Sequence, residues 1–351
     1  MPKSPVNRYQ VVPGVADRIR ATLRDLRLTP IDPSYTPESA MKHRARYYMT
    51  PVHTPRRTVV WFKATLQRDA HLRRALREEI RVQKLFVLYE RRAHPSFDSP
   101  SYIAHGDDRR SFLWLVRRYW EGMFAGDMSE WYGFSPAFFR AVKPAAMAKI
   151  LGDVRGMSAF MRRRNPLESH QLGWYMLDFH YYEREFLRPM VRNHPAPGWD
   201  RGRIDQVAEC FLSARKFFNT NARVFTHGDM YPTNIMIRST ARRPVVLFDW
   251  ELSHLNLPTF DAVMVYLHAW RQPRWQRAFK AHTISALGDS PTTDRAWRLA
   301  MLSLAIRLAG FCYIRLHHLQ PDRYPTLRRT DRPILERWYR SLLNEIDQSL
   351  T

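Results

Sequence analysis

Two carboxylates and a side-chain amide stand close together in the stretch Val224–Glu251, which reads VFTHGDMYPTNIMIRSTARRPVVLFDWE. Asp229 precedes a short apolar run, Asn234–Ile237, and Asn234 lies five residues after it. Asp249 directly follows a second run, Pro244–Phe248. The two runs read as paired strands around the polar turn Ser239–Arg243. Phosphoryl transfer from a nucleotide needs such a set: one carboxylate to orient the attacking hydroxyl, and oxygen ligands to hold magnesium on the phosphates. Taken singly, an Asp or Asn near a turn is usually a capping residue. The joint pattern argues for more than capping.

The same chemistry wants a cation on the α- and β-phosphates, held by a carboxylate from a neighbouring helix. Lys63 lies near the end of a strand candidate, Thr58–Ala64, that follows another, Arg44–Thr50, after a turn at Pro51–Arg57. A helix is expected next, over Arg68–Arg91, and it carries Glu78 and Glu79. Glu79 is the better partner. It precedes Val82, Leu85 and Phe86 by three, six and seven residues, which puts it near the buried face of the helix. Glu78 is the fallback, and a solvated lysine beside a solvated Glu-Glu pair is the plain alternative.

The wording of these segments carries a resemblance. His227-Gly228-Asp229, Asp249-Trp250-Glu251 and Leu257-Pro258-Thr259-Phe260-Asp261 together resemble the aminoglycoside phosphotransferase and choline kinase family. That resemblance implies an α+β, bilobal, protein-kinase-like fold. A small β-rich N-terminal lobe with an N-terminal helix would span residues 1–120, and a larger, mostly helical lobe with the catalytic loop and acceptor site would span 121–351. The implied activity is an ATP-dependent, magnesium-requiring transfer of phosphate to a small-molecule hydroxyl, on a sugar, an amino alcohol or an antibiotic-like compound, with GTP left open as donor.

Residue by residue, the resemblance makes Asp229 catalytic, Asn234 and Asp249 magnesium ligands, and Lys63 with Glu79 the phosphate-binding pair. Backbone groups around Arg117 and Tyr119 would read the nucleotide base. His227 would brace the loop by hydrogen bonds, and Asp261 would tie its helix back to that loop. Gly228 permits backbone angles that other residues resist. Asn256 stands where the family often has glycine, and Asn also tolerates the left-handed region. A phosphate-cradling loop favours glycine, yet none stands between Gly14 and Gly106. The loop is therefore read at Thr36–Lys42, where Ser39 and Ala40 are the smallest residues. Its composition motivates the alternative of a catalytically impaired, kinase-fold nucleotide- or ligand-binding protein. No Ala-Pro-Glu follows Asp249, which disfavours a protein kinase.

The elements that must position these residues are visible as periodicity. Amphipathic helices are expected over Val15–Leu28, over Ser135–Arg164 with a break at Pro144, and over Ile204–Phe218. Further helices are expected at Ala262–Ala269, Trp275–Ala286, Trp297–Leu316 and Pro333–Leu350. Strands are expected at Ser101–Ala104 and Phe112–Tyr119. Leu172–Phe186 is aromatic enough to line a pocket, although such stripes are more often core. The apolar segment Leu299–Ile314 carries Arg307 and is shorter than the ~20 residues a bilayer span needs, so it reads as a buried helix.

Among the 351 residues, a hydrophobic share of 45% and an aromatic share of 13% place the chain with folded proteins and not disordered ones. The net charge of +23 comes from 56 basic residues, only eight of them lysine, against 33 acidic ones. The arginines are scattered, with no run or stripe, so no obligate nucleic-acid partner is expected; weak association with anionic surfaces is compatible with the charge. In the last 80 residues the carboxylates are few and dispersed, as at Asp322, Asp331 and Glu336, and arginines outnumber them. A neutral or anionic acceptor suits that better than a polyamine sugar. Two cysteines without ligand spacing, and no apolar segment at the N-terminus, fit a reducing, cytoplasmic setting.

Overall fold

Alternating apolar residues along 47–65 and a long amphipathic helix after them build the first part of the fold. A computed structural model describes residues 11–108, 112–164, 179–192, 199–238, 243–319 and 327–350. Asp322, residues 239–242 of the expected turn, and residues 172–178 of the aromatic stretch lie outside the described residues. The chain divides into two units. One comprises residues 1–94, 99–121 and 248–252, and the other 95–98, 122–247 and 253–351.

The first unit opens with helix α1 (Val15–Asp25), which buries Val15, Ile19 and Leu23. Strand β1 (Thr29–Pro30), helix α2 (Pro37–Lys42), strands β2 (Tyr47–His53) and β3 (Val59–Thr65), helix α3 (Ala70–Ala93), and strands β4 (Tyr102–Asp107) and β5 (Leu113–Arg118) follow. The strands form one antiparallel sheet in the order β1-β2-β3-β5-β4. Lys63 pairs across to Met49 on one side and Leu115 on the other, which places it mid-sheet. Tyr48, Val52, Phe62 and Val116 join the helix α1 residues in the core. Asp69 caps α3 by accepting the His71 N–H at 2.7 Å.

Two expectations change here. Pro51 lies inside β2 instead of in the turn; its carbonyl accepts the Ile31 N–H at 3.0 Å, and the turn occupies residues 54–58. The stretch Thr36–Lys42 is helical, not an open loop. Thr36 caps it by accepting the Ser39 N–H at 3.2 Å, and Pro37 stands at the first position, which together make a good helix start. Ala40, within this helix, is buried.

The second unit begins with three short strands, β6 (Met123–Phe124), β7 (Gly126–Asp127) and β8 (Gly133–Phe134). Helices α4 (Pro136–Ala141) and α5 (Pro144–Arg164) are separated just before Pro144, as expected. Helices α6 (Phe179–Tyr182) and α7 (Arg188–Arg192) are joined by a π-helical turn, Glu183–Leu187, and α8 (Arg201–Asn221) follows. Strands β9 (Val224–Thr226), β10 (Ile235–Ile237), β11 (Val245–Leu247) and β12 (His254–Asn256) come next, then helices α9 (Phe260–His268), α10 (Pro273–Leu287), α11 (Pro291–Leu316) and α12 (Arg332–Leu350). The strands pair as β11-β10-β6, β12-β9 and β7-β8.

Helix α11 is longer than the apolar segment within it. Ser290 accepts the Thr293 N–H at 3.2 Å and Pro291 takes the first position, so the helix starts six residues before Trp297. By length and composition, α11 could cross a membrane; 83% of its most apolar stretch is buried inside the unit, which makes it the core helix the sequence implied.

Candidate active site

In the first unit, β3 and α3 bring Lys63 and Glu79 together. Lys63 Nζ lies 2.8 Å from Glu79 Oε2 and 3.2 Å from Asp249 Oδ1, and it also pairs with Glu251. The lysine is 3% exposed and Glu79 fully buried, so this is a desolvated pair. Glu78 does not take part and pairs with Arg81 instead. Glu79 is held from two further sides, by Arg117 Nη1 at 2.6 Å and by Gln83 Nε2 at 2.9 Å. The Tyr47 ring lies 4.5 Å from the ammonium.

Burial works against the charge on Lys63, but the carboxylates of Asp249, Glu251 and Glu79 overcome it and hold its pKa well above the ordinary lysine value. Burial pushes the Glu251 carboxyl up to about 7, although Lys63 pulls the other way. The Tyr47 phenol is likewise raised, by burial first and then by Glu251. Asp249 adopts φ 59, in the left-handed region that Asp enters more readily than most residues. Trp250 beside it is fully buried and donates from Nε1 to Ser99 Oγ at 2.9 Å. One oxygen from each of Glu79, Asp249 and Glu251 lies within 4.8 Å of the others, a group compensated here by the Lys63 ammonium. Asp249, with its side chain 39% exposed, is the most accessible of the three carboxylates paired with Lys63.

In the second unit, the segment 227–234 leaves β9 and turns before β10. Asp261, in the first turn of α9, accepts the His227 N–H at 2.7 Å and the Gly228 N–H at 3.0 Å. Burial raises the Asp261 carboxyl to about 6 against the pull of these two bonds. Gly228 sits at φ 81, where an L side chain is strained, so the sequence needs glycine at this turn. His227 is fully buried, and its Nδ1 accepts the Asp229 N–H at 3.3 Å. The 3-10 turn Pro232–Asn234 swings Asn234 back: its Nδ2 donates to the Asp229 carbonyl at 2.9 Å and to Asp229 Oδ2 at 2.8 Å. The amide nitrogen is thus spent on Asp229, which leaves the amide oxygen as the atom with ligand capacity. A carboxylate oxygen, as on Asp249 of the first unit, and an amide oxygen, as on Asn234 of the second, are each a hard donor of the kind magnesium takes.

Several expected site residues are placed differently from the reading. The Ser39 amide is engaged by Thr36 within α2. The Arg117 side chain turns to Glu79, and Tyr119 packs its ring 5.8 Å from Trp61, contacts that leave the backbone role expected of both residues untouched. Asn256 is extended within β12, with no left-handed backbone; its Oδ1 accepts the Leu257 N–H at 2.7 Å. Glu251, Tyr47 and Arg307 were not read as site residues. Glu251 had a signal, two residues after Asp249. Arg307 had one too, as a charge within an apolar helix.

Comparison with known proteins gives a family. The model described as "Phosphotransferase enzyme family" matches residues 52–299. No curated protein matches the sequence. Among solved structures, the GDP complex of wild-type aminoglycoside 2'-phosphotransferase-IIIa aligns at 11% identity with a TM-score of 0.53, covering 95% of this chain and 97% of that one. Aminoglycoside phosphotransferase APH(4)-Ia aligns at 9% identity with a TM-score of 0.52, covering 94% and 99%. At such identities the likeness speaks for the fold, the α+β kinase-like architecture that the motifs implied.

Proposed function

Because this chain belongs to the phosphotransferase enzyme family and is thereby a small-molecule kinase, we propose that it transfers the γ-phosphate of ATP, with magnesium, to a hydroxyl of a small-molecule acceptor. The observation that carries the assignment of roles is the fixed position of Asp229, whose carboxylate is held by Asn234 while Asp261 pins the two residues before it. A carboxylate held this way is pre-positioned to orient a hydroxyl. As the acceptor oxygen bonds to phosphorus, the bond to the nucleoside diphosphate breaks, and Asp229 takes up the hydroxyl proton. Lys63, braced by Glu79 and Arg117, would hold the α- and β-phosphates. Asp249 and Asn234 would ligate magnesium, which when bound neutralises charge on the phosphates. GTP is a second candidate donor, since relatives of the same fold are known as GDP complexes. The acceptor class remains that of a sugar, an amino alcohol or an antibiotic-like compound. Two free thiols, Cys210 and Cys312, suit the cytoplasm.

Thermal stability with and without Mg-ATP and Mg-GTP, on wild type and Asp249→Asn, tests this reading. A ligand that binds the native state raises the melting temperature by mass action. A magnesium-dependent rise that Asp249→Asn removes is the expected result. No rise with either nucleotide at millimolar concentration would support the second reading, a catalytically impaired kinase-fold binding protein. One observation favours that second reading: the connection between β1 and β2 holds helix α2 where a glycine-rich phosphate loop would be expected.

A further inference from the structure

Helix α11 is buried along most of its length, but Arg307, Phe311 and Arg315 are partly exposed. They recur every four residues and so share one face, with a cation at each end and an aromatic ring between. Arg315 has a structural partner: it donates from Nη1 to the Met128 carbonyl at 2.9 Å and lies over the Tyr132 ring. Arg307 does not. Its guanidinium carbon lies 6.0 Å from the Tyr231 ring centroid, and it forms no ion pair among the described residues. Its surroundings are Tyr231, Asp229, Tyr182 and Tyr181, and a guanidinium is charged at any ordinary pH.

Tyr231 is no mobile flap over this cation. Its N–H donates to the Asp229 carbonyl at 2.7 Å, its own carbonyl accepts the Asn234 N–H at 2.9 Å, and its ring meets His268 edge-on at 4.9 Å. Arg307 therefore faces a rigid loop that ends in the proposed catalytic carboxylate. Keeping an unpaired guanidinium in a largely buried setting is costly. A guanidinium presents a planar fork that matches carboxylate and phosphate oxygens.

The carboxylates near the C-terminus point the same way. Asp331 pairs with Arg328 at 2.8 Å, Glu336 with Arg332 at 2.9 Å, and Asp347 with Arg203. Glu345 accepts from the Tyr266 hydroxyl at 3.4 Å. Each is engaged within the protein, whereas a polycationic acceptor would need carboxylates to meet it.

We propose that Arg307 is a specificity-determining residue: the hydroxyl compound phosphorylated here carries an anionic group, a carboxylate or a phosphate, that pairs with the Arg307 guanidinium. This rests on the phosphotransferase reading and narrows its acceptor class. The anion anchors the acceptor beside Tyr231, and a hydroxyl elsewhere on the same molecule is presented to Asp229.

The test uses acceptors matched in sets: glycerol, glycerate and glycerol 3-phosphate; glucose, gluconate and glucose 6-phosphate; and kanamycin as the polycation. Nucleoside diphosphate release is measured for wild type, Arg307→Met and Arg307→Lys, each checked for an unchanged melting temperature. At least one anionic member should exceed its neutral parent in kcat/KM by about tenfold or more. Whether that member bears a carboxylate or a phosphate identifies the anion. Arg307→Met should erase the preference of the anionic member over its neutral parent, mainly through KM of the anionic member, and be partly rescued by Arg307→Lys. A purely structural arginine would instead lower turnover of every acceptor alike, which would overturn the proposal. So would neutral parents or kanamycin matching or exceeding the anionic members, or no turnover of any anionic member. If Arg307→Met does not fold, the wild-type preference and the Arg307→Lys variant decide. Acceptor-free hydrolysis of Mg-ATP that Asp229→Ala removes scores the underlying phosphotransferase reading separately.

Discussion

Replacing Lys63 with methionine removes one charge from a group that holds four. The ammonium is 3% exposed and contacts Glu79 at 2.8 Å, Asp249 at 3.2 Å, and Glu251. Glu79 retains Arg117 at 2.6 Å, so its charge stays compensated. Glu251 has no other cation among its described ion pairs, and Asp249 lies in the same cluster. Breaking a buried pair by deleting one partner costs about 3–5 kcal/mol, because the remaining charge is left desolvated. At about 2–3 °C per kcal/mol for a chain of this size, the melting temperature should fall by about 6–15 °C.

The loss should also depend on pH. Glu251 has a folded pKa of about 7, above its ordinary value of 4.5. A carboxyl raised in this way contributes stability that is fully present below its unfolded pKa and is lost as pH rises through the folded one. Without Lys63 that folded pKa rises further, so the deficit of Lys63→Met should be larger near pH ~8 than near pH ~5, by on the order of 1–3 kcal/mol. Adding Glu251→Gln to Lys63→Met should recover part of it. Urea unfolding at the two pH values, on wild type and both variants, is the assay. A deficit below about 1 kcal/mol at the higher pH, or one of equal size at both, would refute the reasoning.

Three shorter predictions concern the rest of the molecule. Asp261→Ala leaves the buried His227 and Gly228 N–H groups without their acceptor and should cost about 2–4 kcal/mol, read by urea unfolding; a loss under about 0.5 kcal/mol would mean that the loop is held by other contacts. Gly228→Ala forces an L side chain to φ 81 and should destabilise by about 1–2 kcal/mol while lowering nucleotide turnover; unchanged stability would show that the loop relaxes out of the left-handed region. Cys312 is fully buried, whereas Cys210 is partly exposed with its thiol pKa raised by burial. A thiol reagent should therefore modify at most Cys210 in the native protein, with Cys312 reacting only after denaturation; rapid reaction of both thiols would contradict the packing around α11.

Much of the site was legible because its constraints are local. Asp229 and Asn234 are joined by a hydrogen bond across five residues of chain, and Gly228 is required by the backbone angle at its own position. The choice of Glu79 over Glu78 follows from helix periodicity: both are buried, but adjacent residues point about 100° apart, and Glu79 is the one that meets Lys63 while Glu78 meets Arg81. Helix starts were read less well. α11 begins at Pro291 and α8 at Arg201, each set by a cap at Ser290 or Asp200 that lies outside the apolar stripe. The helical form of Thr36–Lys42 is not legible locally because a short stretch with Thr, Pro, Glu and Ser suits both a loop and a capped turn, and the burial of its Ala40 depends on packing far away in sequence.

The sequence alone determined which chemistry the chain carries. Residue types at fixed spacing bring Asp229 and Asn234 together, and the strand-then-helix order offers Lys63 and Glu79 to each other. Tertiary structure decided what each charge faces. It turned Arg117 onto Glu79 and set Glu251 beside Lys63. It also left Arg307, which the sequence showed only as a stray charge in an apolar helix, facing Tyr231 without an ion pair among the described residues. The physical reason is range. Spacing and periodicity act over a few residues, but the energy of a buried charge is set by whichever groups folding brings within a few ångströms, and no local pattern records them.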